Sequence, residues 1–286
     1  MQNLLLNNLN ILVITAGIIG LLVGSFLNVV IYRLPIMLKR SFAEECQNYF
    51  QEIAPYKFKL FNLLTPRSHC PQCENLIPIW CNIPVISFLI QKGKCLDCGL
   101  AISWRYPAVE LLTCFASICV AHKFGFSVQT LAALVLTWSL IAATFIDFEH
   151  QLIPDSISIP LIWLGLLLNT WQLFTTPEKA IIGAILAYLT LWLVAYVYRL
   201  IRKTDGMGNG DFKLFAVFGA WFGWEYLPLI LLLASVIGTL VAIVLLLKKQ
   251  ATLKSAIAFG PYLAIAGWVI MFWGHTILQI INSVVA

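Results

Sequence analysis

Long apolar runs dominate the chain. Eight can be drawn, at about 11–32, 107–124, 128–146, 156–174, 179–200, 211–224, 226–247 and 258–282. Most approach the roughly 20 apolar residues that an α-helix needs to cross the hydrocarbon core of a bilayer. The sixth is the exception, because it is short and begins at the charged Asp211; were it not to span, the topology after it would invert. Between the first and second runs lies the one sizeable polar stretch, residues 33–106, punctuated by prolines. The pattern predicts an all-α polytopic membrane protein with about eight transmembrane helices. Its expected organisation is a first transmembrane helix at 1–32, an extramembrane insert at 33–106 and a membrane core at 107–286. No internal repeat or low-complexity tract interrupts this layout.

Composition excludes an ordinary soluble domain. Hydrophobic residues make up 60% of the 286 positions and charged residues 11%, with a mean hydropathy of +0.89; soluble chains carry about 25% charged residues. The lipid bilayer is therefore an expected partner. The formal charge of +5 is modest, and its distribution matters more than its size. With 33–106 in the cytoplasm and the helices alternating from there, sixteen of the 18 Lys and Arg residues fall on the cytoplasmic side, leaving only Lys123 and Lys179 across the membrane. Lys and Arg near helix ends resist translocation. The basic residues thus speak to orientation, and no nucleic-acid partner is expected. Both termini are expected on the opposite side. The first apolar run lacks a basic lead and a small-residue cleavage site, so it is expected to stay as a helix.

Four of the eight cysteines form two Cys-x-x-Cys pairs, Cys70-Pro-Gln-Cys73 and Cys95-Leu-Asp-Cys98, separated by 21 residues. Each pair puts two thiolates on a tight turn, and two such turns supply a tetrahedral set for one Zn²⁺. Stable disulfides are disfavoured in a reducing compartment; a thioredoxin-like redox pair or four unliganded thiols would be the alternatives. The expected role of the metal is structural, because a 74-residue insert has little core and metal binding adds folding free energy. Cys81 lies between the pairs without a partner cysteine, and Cys114 and Cys119 fall in an apolar run.

Ionisable groups at membrane depth are costly and therefore candidates for function. Asp147 closes the third apolar run and Asp211 opens the sixth, 64 residues later. In the layout above both sit at the cytoplasmic boundary, free to meet in space. Two carboxylates in one site cannot both ionise cheaply; one holds a proton while the other acts as a base. That arrangement activates water against a peptide carbonyl and protonates the leaving amine. Gly208 and Gly210 lack a Cβ, so a substrate backbone could approach closely beside Asp211. Taken alone, Asp211 could equally be a helix N-cap, and Asp147 an interfacial residue solvated by headgroups. Glu149, Asp155 and Asp205, an acidic surround in sequence, are expected to be interfacial and not catalytic.

With these residues in hand, the chain resembles the bacterial type IV prepilin leader peptidases. The likeness rests on an ordered set. It begins with Gly24-Ser25-Phe26-Leu27-Asn28-Val29-Val30-Ile31-Tyr32-Arg33-Leu34-Pro35, continues with the doubled Cys-x-x-Cys and runs on to Ile102-Ser103-Trp104-Arg105-Tyr106-Pro107-Ala108-Val109-Glu110. Asp147 with its Ile153-Pro154-Asp155 ending, Gly208-Asn209-Gly210-Asp211 and Phe259-Gly260-Pro261-Tyr262-Leu263 complete it. The Gly-x-Gly-Asp element is shared with presenilin-like proteases. The resemblance implies an aspartic endopeptidase of the bacterial inner membrane, with its insert on the cytoplasmic side. Such enzymes remove a short basic leader from prepilins and pseudopilins, cutting after a glycine, and N-methylate the new terminus with S-adenosylmethionine as donor. By the same resemblance Asp147 and Asp211 are the catalytic pair, and Cys70, Cys73, Cys95 and Cys98 are metal ligands. Gly93, in Gly93-Lys94-Cys95, matches a glycine associated with methyl transfer, although a turn glycine would look the same. Glu149, Asp155 and Asp205 could attract the basic leader. The rival readings are a transporter or channel with aspartates lining an ion path and a zinc-stabilised regulatory insert, or a structural membrane component without chemistry. A peptidase lacking the methyl transfer is the third.

Overall fold

A computed structural model describes residues 2–50, 60–204, 206–248 and 258–285. Lys57, Lys59, Lys249 and Lys254, part of the basic asymmetry, and Asp205 lie outside the described residues. The chain is all-α. Its longer elements are α1 (Gln2–Phe50), α2 (Ile86–Ile90), α3 (Arg105–Phe124), α4 (Val128–His150), α5 (Asp155–Asn169), α6 (Pro177–Arg202), α7 (Asn209–Phe222), α8 (Leu227–Leu247) and α9 (Gly260–Val285). Extended structure among the described residues is limited to two isolated bridges, His69–Leu76 and Lys94–Ala101.

Among the described residues six helices are long and apolar enough to cross a membrane: α1, α3, α4, α6, α8 with the turn before it, and α9. Large apolar side chains such as Ile181, Ile185, Leu189 and Leu193 on α6 stand exposed in a row, a surface that only lipid or a partner can cover. The multi-pass membrane architecture follows from these two facts together. The expected count of eight spanning helices is not confirmed. The 15-residue α5 and the 14-residue α7 rise about 22 and 21 Å, short of the roughly 30 Å hydrocarbon thickness.

The chain divides into two compact units, Met1–Ala142 and Ala143–Ala286. In the first, α1 packs along α3 through a stripe of small residues. A Cβ on Gly20 would lie 2.9 Å from the Cα of Cys114, and one on Gly24 would lie 2.8 Å from the Cα of Glu110; backbones approach this closely only where side chains are absent. The helix does not end at residue 32, where the apolar run stops. Met37-Leu38-Lys39-Arg40 and Ala43-Glu44-Glu45 are strong helix formers, and α1 carries on through Pro35 to Phe50. Buried Arg33 ties the insert to this helix, donating to the carbonyls of Asn62 at 2.9 Å and Pro66 at 2.6 Å.

In the second unit α7 is the core. Phe212, Leu214 through Phe222 and Asp211 are all buried, the expected fate of a helix apolar on every side; α5, α6 and α9 pack around it. Gly183 and Gly219 bring α6 and α7 into backbone contact, a Cβ on Gly183 falling 2.6 Å from the Gly219 carbonyl oxygen. Asn169, fully buried, closes the far end: its amide donates to the carbonyls of Ala220 and Trp221 at 2.8 and 3.0 Å, and its oxygen accepts from the Phe174 and Thr175 N–H groups. Gly219→Leu should destabilise the second unit by about 3 kcal/mol through overpacking, seen as a lowered melting temperature in detergent; an unchanged melting temperature would refute the α6–α7 contact.

Candidate acid pair and metal centre

The two candidate aspartates are both buried, with 5% of Asp147 and 8% of Asp211 exposed. Asp147 sits in the last turn of α4. Its Oδ2 accepts the backbone N–H of Gly260, the first residue of α9, at 3.1 Å. A charge near a helix N-terminus meets the unsatisfied N–H groups there and the positive end of the peptide dipoles. Headgroup solvation does not describe this residue. Asp211 is not an N-cap either. That position belongs to Gly208, which makes no side-chain cap bond, and Asp211 lies in the first turn with its own N–H on the Gly208 carbonyl at 3.2 Å. Among the described residues, Asp211 Oδ1 is buried without a hydrogen-bond partner, and buried acceptors are rarely left so.

Ile153 brings the pair together. It follows the left-handed Gln151 (φ 51°) in the connection from α4 to α5 and is itself 6% exposed. A Cβ on Gly210 would lie 2.8 Å from Ile153 Cβ; a Cβ on Gly260 would lie 2.7 Å from Ile153 Cδ1 and 2.6 Å from Asp147 Oδ2. One side chain therefore fills the gap between the backbone beside Asp211 and the backbone that holds Asp147.

The two glycines of the Gly-x-Gly-Asp element differ in surroundings. Around Gly208 the one neighbour among the described residues within 4 Å of an added Cβ is Asp211 Oδ2, at 3.7 Å, which leaves space beside the acid. Gly210 faces Ile153 instead, so its small size serves packing. Of the acidic surround, Asp155 is paired with Lys213 at 2.6 Å, Glu149 is exposed and Asp205 lies outside the described residues. Sequence reasoning missed Gly260 and Ile153 as parts of this site. The Phe259–Leu263 element was the available signal, but nothing in it shows that an N–H 113 residues away reaches Asp147.

The four cysteines also converge. Each pair is a turn closed in the same way. The Cys70 N–H donates to the Asn75 carbonyl at 3.0 Å and that of Cys95 to the Leu100 carbonyl at 2.8 Å; the Glu74 and Gly99 N–H groups return to the Cys70 and Cys95 carbonyls, both at 3.0 Å. Glu74 and Gly99 both take positive φ, 57° and 72°. All four sulfur atoms lie within 4.8 Å of one another, and Cys70 and Cys98 Sγ are 3.7 Å apart. A tetrahedron with metal–sulfur bonds of about 2.3 Å has edges of about 3.8 Å, whereas a disulfide needs about 2.05 Å.

Electrostatics points the same way. The backbone N–H groups of Cys73 and Gln72 pull the Cys70 thiol down to about 6. The Asn75 N–H favours the Cys73 thiolate, but desolvation and the thiols of Cys70, Cys98 and Cys95 outweigh it and push Cys73 up to about 12. One thiolate, at Cys70, forms readily, whereas Cys73 holds its proton more tightly. The cluster could hold a metal ion.

Gly93 closes the C-terminal turn of α2 with φ 66°, its N–H on the Phe88 carbonyl at 2.9 Å. A Cβ there would come within 3.0 Å of the Phe88 ring. This geometry accounts for a turn glycine.

Residues 18–124 match the family described as the bacterial peptidase A24 N-terminal domain, and residues 134–243 the type IV leader peptidase family. The chain is 49% identical to the prepilin leader peptidase/N-methyltransferase of Stutzerimonas stutzeri over 93% of its own length and 92% of the relative's. It is 46% identical to the protein so named in Pseudomonas aeruginosa, over 92% and 90%, and 44% identical to that of Legionella pneumophila, over 93% of both chains. No solved structure matches.

The cysteine geometry makes a prediction independent of any activity. Cobalt(II) added to purified protein should give the absorption of a tetrahedral thiolate site, at about one ion per chain, and Cys70→Ser or Cys95→Ser should remove it. Acidification should weaken binding, because the ligands must lose protons. An absent cobalt spectrum in the wild type would rule the centre out.

Proposed function

The chain belongs to the type IV leader peptidase family, and from that premise we propose that it cleaves the basic leader from prepilins and related pseudopilins. The proposed catalytic residues are Asp147 and Asp211. One observation carries the reading: two buried acids from different helices meet around Ile153, one gripped by a backbone N–H and the other keeping an oxygen without a partner among the described residues.

The chemistry such a pair can perform is amide hydrolysis. One carboxylate accepts a proton from water as the water oxygen attacks the scissile carbonyl carbon. The other acid, protonated, gives its proton to the departing nitrogen, and the C–N bond breaks. The products are a carboxylate on the leader and a free amine on the mature protein. The open flank at Gly208 would admit the extended substrate backbone beside Asp211. Burial of the pair strengthens every electrostatic interaction within it.

We further propose that the insert faces the cytoplasm of a bacterial inner membrane, in keeping with the basic asymmetry. There the leader's scissile bond, at the foot of an apolar segment, meets acids at the end of α4 and the start of α7. Cys70, Cys73, Cys95 and Cys98 would hold Zn²⁺, which would supply folding free energy to an insert with little core. S-adenosylmethionine, when bound, would supply the methyl group for the new amine. This second activity draws on the relatives' name, and Gly93 is its candidate residue. The transporter alternative is not favoured. It calls for acids near mid-membrane reachable from both sides, and these two lie at helix ends.

Mixing the purified protein with a prepilin should yield a shortened product. Asp147→Ala and Asp211→Ala should each lower the rate by roughly 10³-fold or more while the protein still inserts. Gly260→Ala, which forces a methyl group against Asp147, should cost about tenfold to a hundredfold. Undiminished cleavage in either aspartate variant would remove that residue from the mechanism. Mass spectrometry of the processed terminus should find one added methyl group; an unmodified amine in the presence of S-adenosylmethionine would limit the protein to peptidase activity.

A further inference from the structure

We propose that Lys213 and Asp155 form a positioning clamp for the acid pair, an inference that rests on the peptidase reading above. Asp155 opens α5 and Lys213 lies two residues past Asp211 in α7. Lys213 Nζ donates to both Asp155 carboxylate oxygens, at 2.6 and 2.7 Å, although the partners are 58 residues apart in sequence. What the pair encloses gives it a function. From Asp147 to Asp155 the chain has little slack: the Gln151 N–H returns to the Asp147 carbonyl at 2.9 Å, Gln151 turns with φ 51°, and Ile153 dives inward before Pro154. Fastening Asp155 to α7 closes the outer end of this short connection. Ile153 is then held against Gly210, next to Asp211, and against Gly260, which grips Asp147. Loosening the clamp frees the wedge, and the wedge sets the spacing of the two acids.

The ion pair is partly exposed, with 26% of the Lys213 side chain and 58% of the Asp155 side chain accessible. Pairs of this kind contribute little to overall stability, so the consequence to look for is geometric. Neither residue is required to touch substrate. Asp155 is already engaged by a cation of its own chain, which argues against its serving chiefly as a free acidic docking point for the basic leader.

The test uses the full-length protein in membranes with a prepilin substrate and compares Lys213→Met, Asp155→Asn and the exchanged pair Asp155→Lys/Lys213→Asp. The clamp predicts that both single variants lose about tenfold in kcat, because sub-ångström to ångström misplacement of reacting groups is costly, with KM for the prepilin changed by less than about twofold. The exchanged pair should recover to within about threefold of wild type. Ile153→Ala, with the ion pair intact, should reproduce the kcat loss, and Lys213→Arg should largely preserve activity. A docking role for Asp155 gives a different result, with KM rising in Asp155→Asn, falling in Lys213→Met, and no rescue on exchange. A direct effect of the Lys213 charge on Asp211 leaves kcat undiminished in Asp155→Asn. Either outcome overturns the clamp. Wild-type protein that fails to cleave any prepilin removes the peptidase reading itself, a failure distinct from these.

Discussion

A carboxylate taken from water into a membrane-embedded protein has to be compensated by something nearby, and in this chain two are buried together. The second unit can be understood from how it meets that demand. Asp147 receives a backbone N–H from the start of α9. Asp211 stands in the first turn of α7, where the helix presents its own unsatisfied N–H groups. Bringing two helix beginnings and one helix end to one place requires backbone contacts that side chains would block, and the glycines lie where those contacts occur. Gly260 abuts Asp147, Gly210 abuts Ile153, and Gly183 and Gly219 let α6 reach the core helix.

The first unit meets a different problem by a different route. The insert is small, and its order comes from fastenings: Arg33 on the carbonyls of Asn62 and Pro66, and two matched turns that bring four sulfurs within reach of one ion. Buried Glu110 adds another, accepting the Val85 N–H at 2.8 Å, where Val85 holds a left-handed φ of 59°. A β-branched residue seldom adopts that conformation, so the α3 carboxylate sustains a strained connection in the insert. Membrane helix and insert are thus joined by polar contacts from Arg33 on α1 and Glu110 on α3.

Which features were legible in the sequence follows from their range. The long apolar runs could be read directly, because crossing a membrane needs a contiguous stretch. Each cysteine turn is closed by bonds between residues four or five apart, so its geometry is implicit in Cys-x-x-Cys. The extension of α1 was hidden because hydropathy ends at residue 32 while helix propensity continues. α7 could be seen as anomalous, short and opening on Asp211, but its place as a core helix depends on neighbours that hydropathy cannot name. The two aspartates stood out by their cost in an apolar run. Ile153 and Gly260 did not, for an isoleucine and a glycine are ordinary there, and their importance arises from contacts made across the fold.

The account's central claim is spatial: Asp147 and Asp211 occupy one site. Cysteines introduced in place of both aspartates, with the eight native cysteines replaced, can be treated in native membranes with an oxidant or the shortest bifunctional thiol reagent. The account predicts efficient linkage between positions 147 and 211, read as two fragments that stay joined after cleavage of the intervening chain. Absence of linkage, under conditions where both introduced cysteines react with a monofunctional thiol reagent, would contradict it.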